Sequence, residues 1–109
     1  MQTVSIVRDF TPFPGGRYRK NGNGSGEDFR ERFLVPPLRN GAHVTIDLDG
    51  ASGYPPSFLE EAFGGLVRQG FSPVQIRQQI RLSAGPAFEG YTHLIWDYVD
   101  RAAARASAS

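Results

Sequence analysis

Apolar and polar residues first alternate along the chain at Thr3–Val7, TVSIV, where Val4 and Ile6 are spaced by Thr3 and Ser5. A period of two predicts a half-buried strand. Asp9 to Gly26 carries two prolines and five glycines and reads as a loop, with Arg17–Lys20 as a candidate short edge strand. Ser25 followed by Asp28 is a capping pattern and opens a helix whose Phe29 and Phe33 lie one turn apart. Pro36 and Pro37 should interrupt that helix, because neither offers an N–H and the ring crowds the preceding turn. Leu38 extends the apolar stripe beyond the break. Asn40-Gly41 marks a turn. His43–Leu48, HVTIDL, is the clearest strand, with Val44, Ile46 and Leu48 on one face and His43, Thr45 and Asp47 on the other.

Asp49–Pro56, DGASGYPP, reads as a loop. Ser57-Phe58-Leu59-Glu60 matches a capping box with Ser57 as N-cap. The helix it opens should run to Gln69 on an apolar face of Leu59, Ala62, Phe63, Leu66 and Val67. Gly70 then stops it. Ser72-Pro73-Val74-Gln75 opens a second, shorter helix, since Ile80–Ser83 already has strand character. A last helix is expected over Ala87–Ala104, with Phe88, Tyr91, Ile95, Val99 and Ala102 inward; Trp96 and Tyr98 lie off that stripe and either complete the core, the plainer reading, or form a contact surface. Arg105–Ser109 is expected to fray. Strands and helices alternate, which predicts an α/β fold with a small mixed sheet, one domain over residues 1–104.

Composition narrows the function. Twelve basic and eleven acidic residues leave a net charge of +1, with both signs mixed along the helices as on solvated faces. No nucleic-acid partner is expected; only Arg17, Arg19 and Lys20 cluster. The absence of cysteine excludes disulfides, thiolate metal sites and cysteine nucleophiles. No apolar run is long enough to span a bilayer, and the start lacks the basic-then-apolar pattern of a signal peptide. The expectation is a soluble cytoplasmic protein that does not engage a membrane.

Asp47 and Asp49 form DLDG after an apolar strand, which resembles the first motif of the haloacid-dehalogenase phosphohydrolases, with Asp47 as nucleophile and Asp49 as acid. Paired carboxylates suit Mg²⁺ binding and attack on phosphorus. No lysine follows Asp49, nor any acidic pair of the Gly-Asp-x-x-x-Asp kind, so the constellation is incomplete and catalysis is not expected. Gly22, Gly24 and Gly26 in the loop over residues 21–26 suggest an anion nest, and with it a small-ligand or nucleotide sensor. Their spacing matches neither phosphate-loop fingerprint, and a flexible surface loop is the plainer reading. His43 and His93 lack a second ligand at metal spacing, so no metal or cofactor is expected. Gly64 and Gly65 sit inside a helix at a cost of roughly 1 kcal/mol each against alanine, which calls for close packing in compensation.

The run VTIDLDGASGYPPSFLEEAFGGL, Val44 to Leu66, together with the upstream glycine-rich segment and SGEDFRERFLVPPLRNG, resembles the STAS-like family of unknown function over Gly15 to Leu66. The resemblance implies helices packed mainly on one face of the sheet, as in bacterial anti-sigma factor antagonists. Those small domains bind a histidine-kinase-like ATPase that acts as a serine kinase. They are switched by phosphorylation of a serine where a helix follows a central strand, and Ser57 holds that place here. This chain has Pro55-Pro56-Ser57-Phe58 where antagonists have Asp-Ser-Ser-Gly, and Phe71–Gln79 reads as inserted relative to them. The implied function is regulatory protein binding. Tyr54 would be an aromatic anchor, Ser57, Phe58, Asp47 and Asp49 would lie around it, and Glu60 and Glu61 would oppose a phosphate at Ser57. The oligomeric state stays open.

Overall fold

The computed structural model describes residues 2–108. Three strands, β1 (Gln2–Ser5), β2 (Val44–Asp47) and β3 (Ile80–Ser83), lie side by side in chain order. Val4 is level with Ile46 and Ile46 with Leu82. All three run parallel, so the sheet is not the mixed one that alternation suggested. The reason is in the connections. Each carries helix, and a helical crossover returns the chain to the same end of the sheet. Helix α1 (26–39) joins β1 to β2; α2 (56–68) and α3 (Pro73–Gln79) join β2 to β3; α4 (Glu89–Ala108) follows β3.

The helices cover one face of the sheet, as expected. Val4, Val44, Ile46, Leu48 and Ile80 are buried, and pack with Phe29, Phe58, Phe63, Leu66, Ile95 and Val99. On the opposite face Thr3, Arg81 and Ser83 are exposed. Phe10, Phe29, Phe33 and Phe58 form a ring cluster, with Phe29 at 5.3 Å from Phe10 and from Phe33. Tilted and offset arrangements of this kind suit the ring quadrupoles.

Four local expectations change. β1 ends at Ser5, and Ile6–Phe10 turn into a wide helical turn. Ser5 starts it: its Oγ accepts the Arg8 N–H, while Asp9 accepts the Ser5 N–H at 2.7 Å. Arg17–Lys20 is not a strand, because Arg19–Asn21 coil into a 3₁₀ turn. Pro36 and Pro37 do not end α1. It opens as Gly26–Phe29, widens into a π-turn at Arg30–Leu34, and resumes as Val35–Arg39. The Val35 N–H reaches back to the Arg30 carbonyl, and this wider turn leaves the proline rings room at the start of the next segment. Finally α4 continues through Ala108, since its alanines and arginines are good helix formers. Trp96 and Tyr98 are half-buried against the core.

Gly26 sets how closely α1 and α2 approach. A Cβ there would collide with the Phe58 carbonyl and stand 3.1 Å from the Ala62 nitrogen, both backbone atoms that cannot swing away. Gly26→Ala should therefore lower stability by roughly 1–3 kcal/mol, the usual cost of overpacking. The check is the urea midpoint against Gly15→Ala, where a Cβ meets nothing within 4 Å. Equal midpoints for the two variants would contradict the close approach.

Candidate functional site

Helix α2 begins two residues earlier than its capping pattern implies. Pro55 occupies the N-cap position, Pro56 the first helical position, and no side chain caps this end. Proline's fixed φ is pre-organised for the first turn, so it outcompetes the hydroxyl for the start of the helix. Ser57 is thus a half-exposed residue of the first turn, not the N-cap that was expected. Phe58 and Leu59 donate their N–H groups to the Pro55 carbonyl at 3.0 and 3.3 Å.

One turn further, Glu60 and Glu61 meet three arginines. The Arg30 side chain is 7 % exposed and that of Glu61 8 %. Arg30 Nη1 donates to Glu61 Oε2 at 2.6 Å and to the Glu61 carbonyl at 2.7 Å, while its Nε donates to Glu31 at 2.9 Å. Glu61 Oε1 also accepts from Arg17 at 3.1 Å and Arg68 at 3.2 Å. Glu60 accepts from Arg68 at 2.7 Å and from Arg17. Gln69 donates to Glu31 at 2.7 Å. This cluster explains the two helical glycines. A Cβ on Gly65 would collide with Arg30 Nη1, and one on Gly64 would press on the Glu60 carboxylate. Gly64-Gly65 makes room for the ion pairs laid across α2.

Burial pushes the Glu60 carboxyl up, but hydrogen bonds from Arg68 and Arg17 outweigh it and hold the group below its ordinary value. Glu31 is likewise held low against its burial, by Arg30 and Gln69.

The other candidates lie at and after the carboxyl end of β2. Tyr54 is 4 % exposed, so it is not the surface anchor that was expected. Its hydroxyl donates to the Leu48 carbonyl at 2.6 Å, and its ring stacks on Phe58 and meets Tyr91 edge-on at 5.1 Å. Burial, helped by Asp47 and Asp49, raises its phenol far above the usual value. A loop folding back over a strand end must satisfy that carbonyl, and a tyrosine does so while filling apolar space. Phe58 is fully buried and also leaves the surface set. Asp47 Oδ1 accepts the Asp49 N–H at 2.9 Å, and Asp49 Oδ1 accepts the Gly85 N–H at 2.8 Å. Both carboxylates thus fasten loops, Asp47 within its own turn as an Asx turn does and Asp49 across to the loop after β3. Among the described residues no three His, Cys, Asp or Glu side chains come together as a metal site.

The structure therefore brings Tyr54 and Phe58 together inside and leaves Ser57 and Asp49 accessible. In the glycine-rich loop, Gly15 N–H donates to Gly24 O at 3.0 Å, Gly26 N–H to Gly16 O at 3.1 Å and Glu27 N–H to Arg17 O at 3.0 Å. These amides are spent on holding the loop to the start of α1, and Arg17 pins its middle to α2. The arginine–glutamate cluster was missed from sequence. Its signal was the costly glycine pair one turn after two glutamates.

Stability should follow the titration of this cluster. Carboxyls held low in the folded chain contribute stability above their unfolded value, about 4.3 for glutamate, and lose it as pH falls through the lower folded values. The urea midpoint should hold from neutral pH to about 5 and then fall, and Glu60→Gln should make that fall shallower. A fall equally steep in both proteins would contradict the assignment to Glu60.

No curated protein and no solved structure matches the chain. A family model described as a STAS-like domain of unknown function (DUF4325) matches residues 25–83. The match opens at Ser25, whose Oγ caps α1, and closes at Ser83, the last residue of β3. The glycine-rich lead-in before Ser25 lies outside it, whereas Phe71–Gln79, which had read as inserted relative to the antagonists, lies within it. With more than half of the 109 residues matched, from the cap of α1 through both glutamates, both glycines and the last strand, the chain belongs to the STAS-like domain family of unknown function.

Proposed function

We propose that this domain is a regulatory protein-binding module, not an enzyme, and that it docks its partner through the surface around Ser57. The observation that carries the reading is the position of Ser57. It is half-exposed in the first turn of α2, at an end no side chain caps, on a helix fixed by the buried Arg30–Glu61 pair. A hydroxyl so placed is accessible on a rigid platform, and a helix N-terminus accommodates an added phosphate. The fastening of Asp47 and Asp49 to loop amides favours binding over phosphoryl chemistry. An ATPase-like serine kinase is the partner class that the resemblance to anti-sigma factor antagonists suggests.

The electrostatics differ from what the sequence implied. Glu60 and Glu61 are both paired with arginines, so they do not simply repel a phosphate at position 57. A charge there acts on docking instead, because the partner must desolvate it.

Ser57→Ala removes no cap and should change stability by less than about 0.5 kcal/mol, the range of ordinary surface substitutions. Ser57→Asp should stay folded yet bind the partner at least about tenfold more weakly, some 1.4 kcal/mol. The partner is first captured on the wild-type chain and purified, and its affinity for all three proteins is then measured. Equal affinity for Ser57→Asp and wild type would defeat the charge switch.

A further inference from the structure

A second surface lies along the outer edge of β3, and nothing in the Ser57 reading bears on it. β3 pairs only with β2 among the described residues. The Leu48 N–H donates to the Ser83 carbonyl at 2.9 Å, which fixes the phase of the ladder. In a parallel ladder the N–H and C=O of one residue point to the same side, and successive residues alternate. Arg81 and Ser83 therefore face β2, while Ile80 and Leu82 face outward. The Ile80 N–H is taken by the Ile76 carbonyl at the end of α3. What remains on the edge is the Ile80 C=O and both backbone groups of Leu82.

A cavity of about 320 Å³ adjoins these groups. Its lining includes Ile80, Arg81 and Leu82 from the strand, Arg77 and Trp96 from the helices, and His43 just before β2, with no acidic side chain. Arg77 is held in place by Asp100, at 2.8 and 3.1 Å, and lies 5.1 Å from the centre of the Trp96 ring. Arg81 is exposed on the open polar face of the sheet, whereas Leu82 is half-buried on the helical side.

We propose that this edge takes up an extended acidic segment of a partner protein as a fourth strand. Backbone bonds to Ile80 and Leu82 would supply the pairing, and the two faces of the added strand would supply the specificity. On the polar face its side chains lie beside Arg81, which selects aspartate or glutamate. On the helical face, one residue on, they meet Leu82 and Trp96, which selects apolar residues. The ligand is thus a segment alternating acidic and apolar residues. A second copy of this chain fits poorly, because joining two β3 edges brings Arg81 up against its own counterpart, and edge charges oppose such pairing.

Trp96 is the one tryptophan in the sequence, so its fluorescence reports on this groove directly. Two blocked eight-residue peptides serve as probes, one alternating glutamate and valine, the other lysine and valine. The glutamate peptide should shift the Trp96 emission and slow hydrogen exchange at the Leu82 amide, binding at least tenfold tighter than the lysine peptide. Arg81→Glu should reverse that preference, and Arg81→Gln should abolish it. Failure of both peptides to bind, or a preference unchanged in the two variants, would overturn the proposal. So would a Leu82 amide signal that depends on protein concentration without peptide, since that would identify a second copy as the occupant.

Discussion

The guanidinium of Arg30 and the carboxylate of Glu61 meet at 2.6 Å with almost no access to water, and each belongs to a different helix of the layer over the sheet. Two charges withdrawn from water so completely cost several kcal/mol each, and only good geometry with further hydrogen bonds offsets that. Both conditions hold. Arg30 also donates to the Glu61 carbonyl and to Glu31, and Glu61 also accepts from Arg17 and Arg68. No buried side-chain nitrogen or oxygen among the described residues is left without a partner. The pair can form in only one register of α1 against α2, so it fixes how the first turn of α2, with Ser57, sits on the domain.

Much of the surrounding backbone is shaped to admit this pair. Gly26 lets the helices approach, and Gly64 and Gly65 leave the surface of α2 bare where Glu60 and Arg30 lie across it. Both helices widen into a π-turn where they carry the charges, α1 at Arg30–Leu34 and α2 at Glu60–Gly64. Such turns recur at functional positions of helices. Arg17 extends the same logic to the loop before α1, whose backbone is bonded to the helix start while its guanidinium reaches across to α2. A motif that reads in sequence as two glutamates and two misplaced glycines is, in the fold, one device for joining two helices and a loop.

What could be read from sequence follows the range of the interactions. Period-two alternation located β1 and β2 because strand faces are a local property, and the Ser25 and Ser72 caps were legible for the same reason. Ser57 was misread because two local signals competed there, and Pro56 prevailed over the hydroxyl. Pro36 and Pro37 were misread because a π-turn, which no pattern announces, relieved them. Tyr54 illustrates a different limit. A tyrosine that anchors a partner and one that ties off a strand end look alike until the Leu48 carbonyl is seen beneath its hydroxyl. The parallel sense of the sheet and the pairing of Arg30 with Glu61, 31 residues apart, were beyond local reading altogether. Both are set by how the crossovers fold back.

The most direct test of this arrangement is a double-mutant cycle on the pair, measured by urea unfolding at neutral pH with Arg30→Met, Glu61→Leu and the double variant. Each single change leaves a buried charge without its shortest ionic partner and should cost about 3–5 kcal/mol. The double variant should cost less than the sum by about 1–3 kcal/mol, because it removes both members of the pair. Single costs below about 1 kcal/mol that add without interaction would mean that the pair does not hold α1 to α2, and that the platform beneath Ser57 rests on apolar packing alone.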